Sequence, residues 1–94
     1  MTPEEIKTKA DGFFDQDGRL TACPKKLPVR QEILSRLADK FETGRIYTEK
    51  EVNAIIDAAI TFGDIELIRR ELIDLRFLSR KRDGSQYWKE EKNV

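Results

Sequence analysis

Apolar residues recur along this chain at spacings of three and four, punctuated by glycine and proline. Between Pro28 and Phe41 they fall at Val29, Ile33, Leu34, Leu37, Ala38 and Phe41, the stripe of an amphipathic helix. Pro28 suits the first helical position, and Gly44 suits the stop beyond the end. A second stripe runs through Val52, Ile55, Ile56, Ala59 and Ile60. The capping box Thr48-x-x-Glu51 opens it and Gly63 closes it. Asp64 can cap a third helix, whose Ile65, Ile68, Leu72 and Leu75 repeat along one face. Leu67 and Ile73 fall off that stripe, and Glu66, Arg69 and Arg70 lie on its other side.

The remaining segments predict turns and short strands. Thr2-Pro3-Glu4-Glu5 reads as a helix start with its own capping box, and Gly12 reads as the end of that short helix. Phe13-Phe14-Asp15 and Arg19-Leu20-Thr21 flank Gln16-Asp17-Gly18, which suggests a small hairpin. Arg45-Ile46-Tyr47 reads as a strand that pairs with a later hairpin. That hairpin spans Phe77–Arg82 and Ser85–Lys89 around Asp83-Gly84, a strong two-residue turn signal. The expected fold is therefore α+β: a winged helix-turn-helix with a three-helix core and a small antiparallel sheet and wing, plus a short N-terminal helix and hairpin. One domain covers residues 1–94, with an extension at 1–27, a core at 28–89 and a frayed tail at 90–94.

Composition leaves a real core possible, since 38% of the 94 residues are hydrophobic. Eighteen basic and eighteen acidic residues cancel, which argues against strong non-specific binding to nucleic acid. The neutral total conceals a division. From Tyr47 to Glu66, Lys50 stands alone against Glu49, Glu51, Asp57, Asp64 and Glu66. From Arg69 to Arg82, six cations face only Glu71 and Asp74. An acidic second core helix is thus followed by a basic third helix and wing.

Several chemistries lack their residues. There is no histidine, so Ser-His and Cys-His nucleophile pairs are excluded. No glycine-rich phosphate loop and no Cys/His metal set occurs. Asp15-Gln16-Asp17-Gly18 fails as a calcium loop, because Phe13 and Pro24 would occupy the first and last ligand positions. The expectation is a non-enzyme without a cofactor. The single cysteine, Cys23, cannot form an internal disulfide and reads as a small packed residue, with a redox thiol as the alternative. The absence of a long apolar run or a signal-like start leads to the expectation of a cytoplasmic protein without membrane contact.

The same residues resemble a bacterial family, domain of unknown function 2087 (DUF 2087). The resemblance starts at Gly18-Arg-Leu and is densest in Lys40-Phe-Glu-x-Gly-Arg-x-Tyr-Thr-Glu-Lys-Glu-Val-Asn. It resumes at Asp64, Ile68-Arg-Arg-Glu-Leu-Ile-Asp, Leu78-x-Arg and Asp83-Gly-x-x-Tyr87. It implies a small winged-helix module, found alone or behind an ArsR-type helix-turn-helix in transcriptional regulators. It also implies a histidine-containing segment between the second and third core helices. This chain has Ala58-Ala-Ile-Thr-Phe-Gly there, so no ligand role is carried over to that segment.

Two functional expectations follow. In the first, the third core helix enters the major groove of double-stranded DNA with Arg69 and Arg70, and Arg80, Lys81 and Arg82 of the wing contact phosphates. The competing reading of Arg69 and Arg70 is a solvated surface paired with Glu66 and Asp74. In the second, the scaffold is an interaction module that forms a homodimer or binds another regulator protein, with Leu67 and Ile73 in the patch. Tyr47, Tyr87 and Trp88 read as cover for the core, with a base-stacking surface as the alternative.

Overall fold

The computed structural model describes residues 1–90. Helix α1 (Pro3–Asp11) is followed by α2 (Val29–Ala38), β1 (Ile46–Tyr47), α3 (Glu49–Ala59), α4 (Ile65–Asp74), β2 (Leu78–Arg80) and β3 (Tyr87–Lys89). The chain is thus α+β, with four helices and one three-stranded antiparallel sheet of order β1-β3-β2 among the described residues. Strand β3 lies in the centre. It pairs Trp88 with Ile46 and Tyr87 with Tyr47 on one side, and Trp88 with Ser79 and Tyr87 with Arg80 on the other.

The caps explain where the helices begin. At α3 the box is complete: the Thr48 N–H donates to Glu51 Oε1 at 2.9 Å, and the Glu51 N–H donates to Thr48 Oγ1 at 3.2 Å. These bonds satisfy amides that a helix start leaves orphaned, and the hydrogen bonding of Thr48 to the Glu51 carboxylate holds that carboxyl below its ordinary range. Asp64 caps α4 by accepting the Leu67 N–H at 3.2 Å. At α1 only half of the expected box forms. Thr2 accepts the Glu5 N–H, while its hydroxyl donates to the Glu5 carboxylate and leaves the cap amide out.

Several predicted boundaries shift, each for a local reason. Pro28 is the cap residue before α2 rather than its first helical residue. The helix ends at Ala38, and tighter bonds from Lys40 N–H to Leu37 O and from Phe41 N–H to Ala38 O close it. Gly44, with φ of 85°, serves a later turn instead. Helix α3 ends at Ala59 because Ile60 goes extended to bridge Leu20. The predicted N-terminal hairpin reduces to a single antiparallel bridge, Phe14 to Leu20. Asp15 Oδ1 accepts the amides of Asp17 and Arg19, and Leu20 then spends its own N–H and C=O on Ala59 and Thr61. The sharpest stop is at α4. Arg76 N–H bonds to Ile73 O and Phe77 N–H to Leu72 O, the Schellman pattern, with Arg76 at φ 63° where glycine is usual.

The core fills the space between helices and sheet. Ile33, Leu34 and Leu37 of α2, Val52 and Ile56 of α3, Ile68 and Leu72 of α4, and Leu78 of β2 are buried. Tyr47 and Tyr87 are buried as well, and each places its hydroxyl on a partner, as buried tyrosines do. Tyr47 Oη accepts the Glu42 N–H at 2.7 Å and Tyr87 Oη donates to Glu49 Oε1 at 2.9 Å. The packing reading of these two aromatics thus describes the structure, and Trp88 is half-buried.

Two polar clamps bind the elements together. Arg30 of α2 meets Glu71 of α4 in a two-pronged pair, Nη2 to Oε1 at 2.6 Å and Nε to Oε2 at 3.0 Å, with both side chains mostly buried. Arg36 of α2 reaches Asp11 at 2.6 Å and Glu32 at 2.9 Å and covers the Phe14 ring, which ties α1 down. Of the tail expected at 90–94, the Glu90 N–H donates to Phe77 O at 3.0 Å; the rest lies outside the described residues.

Candidate nucleic-acid interface

The outward side of α4, the start of α3 and the β2–β3 hairpin surround a hollow of about 280 Å³. Arg69, Arg70 and Arg80 line it together, but so do Glu49, Glu66 and Asp74, with Ile73 and the Tyr87 ring between them. Carboxylates and guanidinium groups are equal in number there, so the hollow is a mixed surface rather than a positive stripe.

The arginines of α4 differ from one another. Arg69 is read from the sequence either as a base contact or as a surface residue paired with Glu66 and Asp74, and the structure gives it other partners. Its side chain is 22% exposed, its Nη1 donates to Asn53 Oδ1 at 2.5 Å, and its Nε lies 3.7 Å from Glu49 Oε1. Because Glu49 also accepts the Tyr87 hydroxyl, a polar chain runs from β3 through α3 to α4. It leaves Arg69 little freedom to reach elsewhere. Burial and the hydrogen bond to Glu49 both push the Tyr87 phenol above its ordinary value. Arg70 is 62% exposed and stands 3.7 Å from Glu66 one turn earlier, a loose surface pair of the kind that contributes little. Asn53 and Glu49 are the partners that sequence reasoning misses, since no local spacing links α3 to position 69. Glu71 is likewise not a neutraliser of this face, because Arg30 takes it.

The hairpin has a different character. Arg80, Lys81 and Arg82 are exposed, and among the described residues none of them has a carboxylate within the 4.0 Å of an ion pair. The turn is wider than two residues. Lys81 N–H donates to Gln86 O, and Gly84 N–H donates back to Lys81 O. Only Gly84 takes positive φ, at 75°. Asp83 instead spends its carboxylate on Ser85, accepting the hydroxyl at 2.7 Å and the N–H at 2.9 Å. Those two bonds, with a smaller contribution from the charge of Lys81, hold the Asp83 carboxyl below its ordinary range. The acid in the loop is therefore turned to the backbone, and the three cations face outward around it.

The remaining candidates separate. Ile73 packs partly against the core and lines the hollow, whereas Leu67, six residues earlier on the helix, points about 120° away. They do not form one patch. Cys23 is half-buried against the core; burial pushes its thiol up, and the neighbouring Arg30 charge only partly opposes this. No cluster of three or more potential metal ligands occurs among the described residues, and no helix there is long and apolar enough to cross a membrane.

These features define an α+β module whose exposed hairpin carries cations without an ion pair among the described residues, beside a mixed-charge helix face. The chain belongs to the family described as uncharacterized protein conserved in bacteria (DUF2087), whose family model matches residues 19–89. That span takes in α2 through β3 and leaves α1 outside. No curated protein and no solved structure matches the chain.

Proposed function

We propose that this chain is a winged-helix domain of a bacterial transcription regulator and that it contacts double-stranded DNA chiefly through its wing. The order α2-β1-α3-α4-β2-β3 and the sheet order β1-β3-β2 are compatible with that fold. In this reading α3 and α4 are the helix-turn-helix pair and the β2–β3 hairpin is the wing. The observation that carries the proposal is the exposed trio Arg80, Lys81 and Arg82, without an ion pair among the described residues, on a loop whose one carboxylate is bound to Ser85. Such cations suit phosphate oxygens, which position a protein on the duplex without reading sequence. Arg70 stands beside them as the one exposed arginine of α4, while Arg69 serves the fold. No enzymatic activity is part of this reading, and the place of action is the bacterial cytoplasm.

A second reading draws on a separate observation. Glu49, Glu66 and Asp74 share the α4 hollow with the arginines, and an alternating surface suits a protein partner or a second copy of the chain better than phosphate. Fluorescence anisotropy with a mixed-sequence labelled duplex at low salt separates the two. The first reading predicts saturable binding that weakens steeply as salt rises. Binding no stronger than that of a neutral control protein would overturn it, and a stable dimer in light scattering would favour the second.

A further inference from the structure

A different hollow lies where α1 meets the connector ahead of α2. Its volume is about 350 Å³, at the small end of ligand pockets and enough for about two apolar side chains. Phe13, Pro24 and Val29 contribute to its lining, and so do Leu27 and Met1, which are 56% and 62% exposed. Large apolar side chains left in water beside a concave surface mark a contact site more often than isolated ones do. Lys9, Lys25, Lys26 and Pro28 complete the lining, and no carboxylate takes part. Among the described residues none of these lysines has an ion-pair partner within 4.0 Å. The α4 hollow holds as many acids as cations; this one has cations and no acid around an apolar floor.

The connector is also held in place. The Arg30 N–H donates to Lys26 O at 3.1 Å, and Arg30 Nη1 donates to Pro24 O at 3.3 Å while Glu71 grips the same guanidinium. A surface fixed before binding loses less ordering entropy when it is occupied.

We propose that this hollow docks a partner's peptide segment that carries apolar side chains flanked by carboxylates. The apolar lining favours side chains that leave water, and the three lysines favour acids on either side of them. Duplex nucleic acid supplies the negative charge but no apolar group to fill the hollow. No residue of the wing lines the hollow, so the proposal does not depend on the DNA reading above. Met1, Lys9 and Phe13 precede the residues shared with the family, so the N-terminal segment adds part of the site to a family scaffold that supplies the connector.

The test uses a short fluorescein-labelled peptide of alternating Leu-Leu and Asp-Glu pairs, with two controls. One control replaces the acids with lysine and the other replaces leucine with serine. The acidic apolar peptide should bind saturably, each control should bind at least about tenfold more weakly, and K25E/K26E and L27S should each weaken binding by about tenfold. Amide shifts on the labelled protein should fall on residues 24–29 and on α1. Circular dichroism melting confirms that each variant is folded; if one is not, the other and the peptide controls decide. The proposal is overturned if no peptide saturates, if a control peptide binds equally, if folded variants bind like the parent, if shifts map to residues 80–85, or if duplex DNA displaces the peptide.

Discussion

Arg69 and Arg70 on α4 look, along the chain, much like Arg80, Lys81 and Arg82 on the hairpin, yet their surroundings differ. Arg69 ends in a polar chain with Asn53, Glu49 and Tyr87. The hairpin cations are exposed and, among the described residues, without an ion pair, and the nearby acid, Asp83, is occupied by Ser85. A cation held between two elements contributes to the fold, whereas a cation without a partner is available to a ligand. Counting charges along the sequence cannot make that distinction. It depends on which carboxylates the tertiary structure brings close.

Substitutions can sharpen or break this contrast. The largest effect on stability is expected at the clamp that removes Glu71 from the α4 surface. Glu71→Gln leaves Arg30 mostly buried without its charged partner, so chemical denaturation should show a loss of about 2–3 kcal/mol. Affinity for duplex DNA should hold among the molecules still folded. An unchanged denaturation midpoint would mean that Glu71 is not committed to Arg30 and is free to neutralise the face.

Next in size is Arg69→Ala. Loss of its bond to Asn53 and its pairing with Glu49 should reduce stability by about 1–2 kcal/mol. The salt dependence of DNA binding should stay as it is in the parent. If the variant keeps its stability and loses affinity, Arg69 belongs with the hairpin cations, and the contrast between the two regions fails.

The smallest effect concerns Asp83. Its folded-state carboxyl sits below the ordinary range, so any stability it supplies is full above that range and disappears as pH falls through the lowered value. Ser85→Ala removes the side-chain bond, the first cause of the lowering. NMR titration should then find the Asp83 pKa moved back up toward an ordinary aspartate. No movement would show that the carboxylate is not turned inward as described.

Legibility in the sequence follows distance along the chain. Helices α2, α3 and α4 declare themselves because their apolar stripes are local, and the cap at Thr48 and Glu51 needs only a spacing of three. The pairing of Ile46-Tyr47 with the last hairpin is legible for another reason: so short a strand needs a partner, and the later aromatic run is the evident one. Helix ends are less legible because their causes are remote. Ile60 leaves α3 to bridge Leu20, and Arg76 takes a left-handed turn where no glycine marks it. The candidate site is half legible. The hairpin cations are exposed, and exposure there needs only a turn. The role of Arg69 depends on Asn53, sixteen residues earlier, and that of Glu71 on Arg30, forty-one residues earlier. No periodicity carries such information.

The most direct test of wing-led contact is the salt dependence of duplex binding for the parent and for Arg80→Ala/Lys81→Ala/Arg82→Ala. Each phosphate contact contributes close to one to the slope of log affinity against log salt, so the triple variant should lose about two to three from that slope. Its affinity at low salt should drop at least about tenfold, with an unchanged thermal melt. A folded triple variant that keeps the parent's slope and affinity would contradict the assignment and return the interface to α4 or to a protein partner.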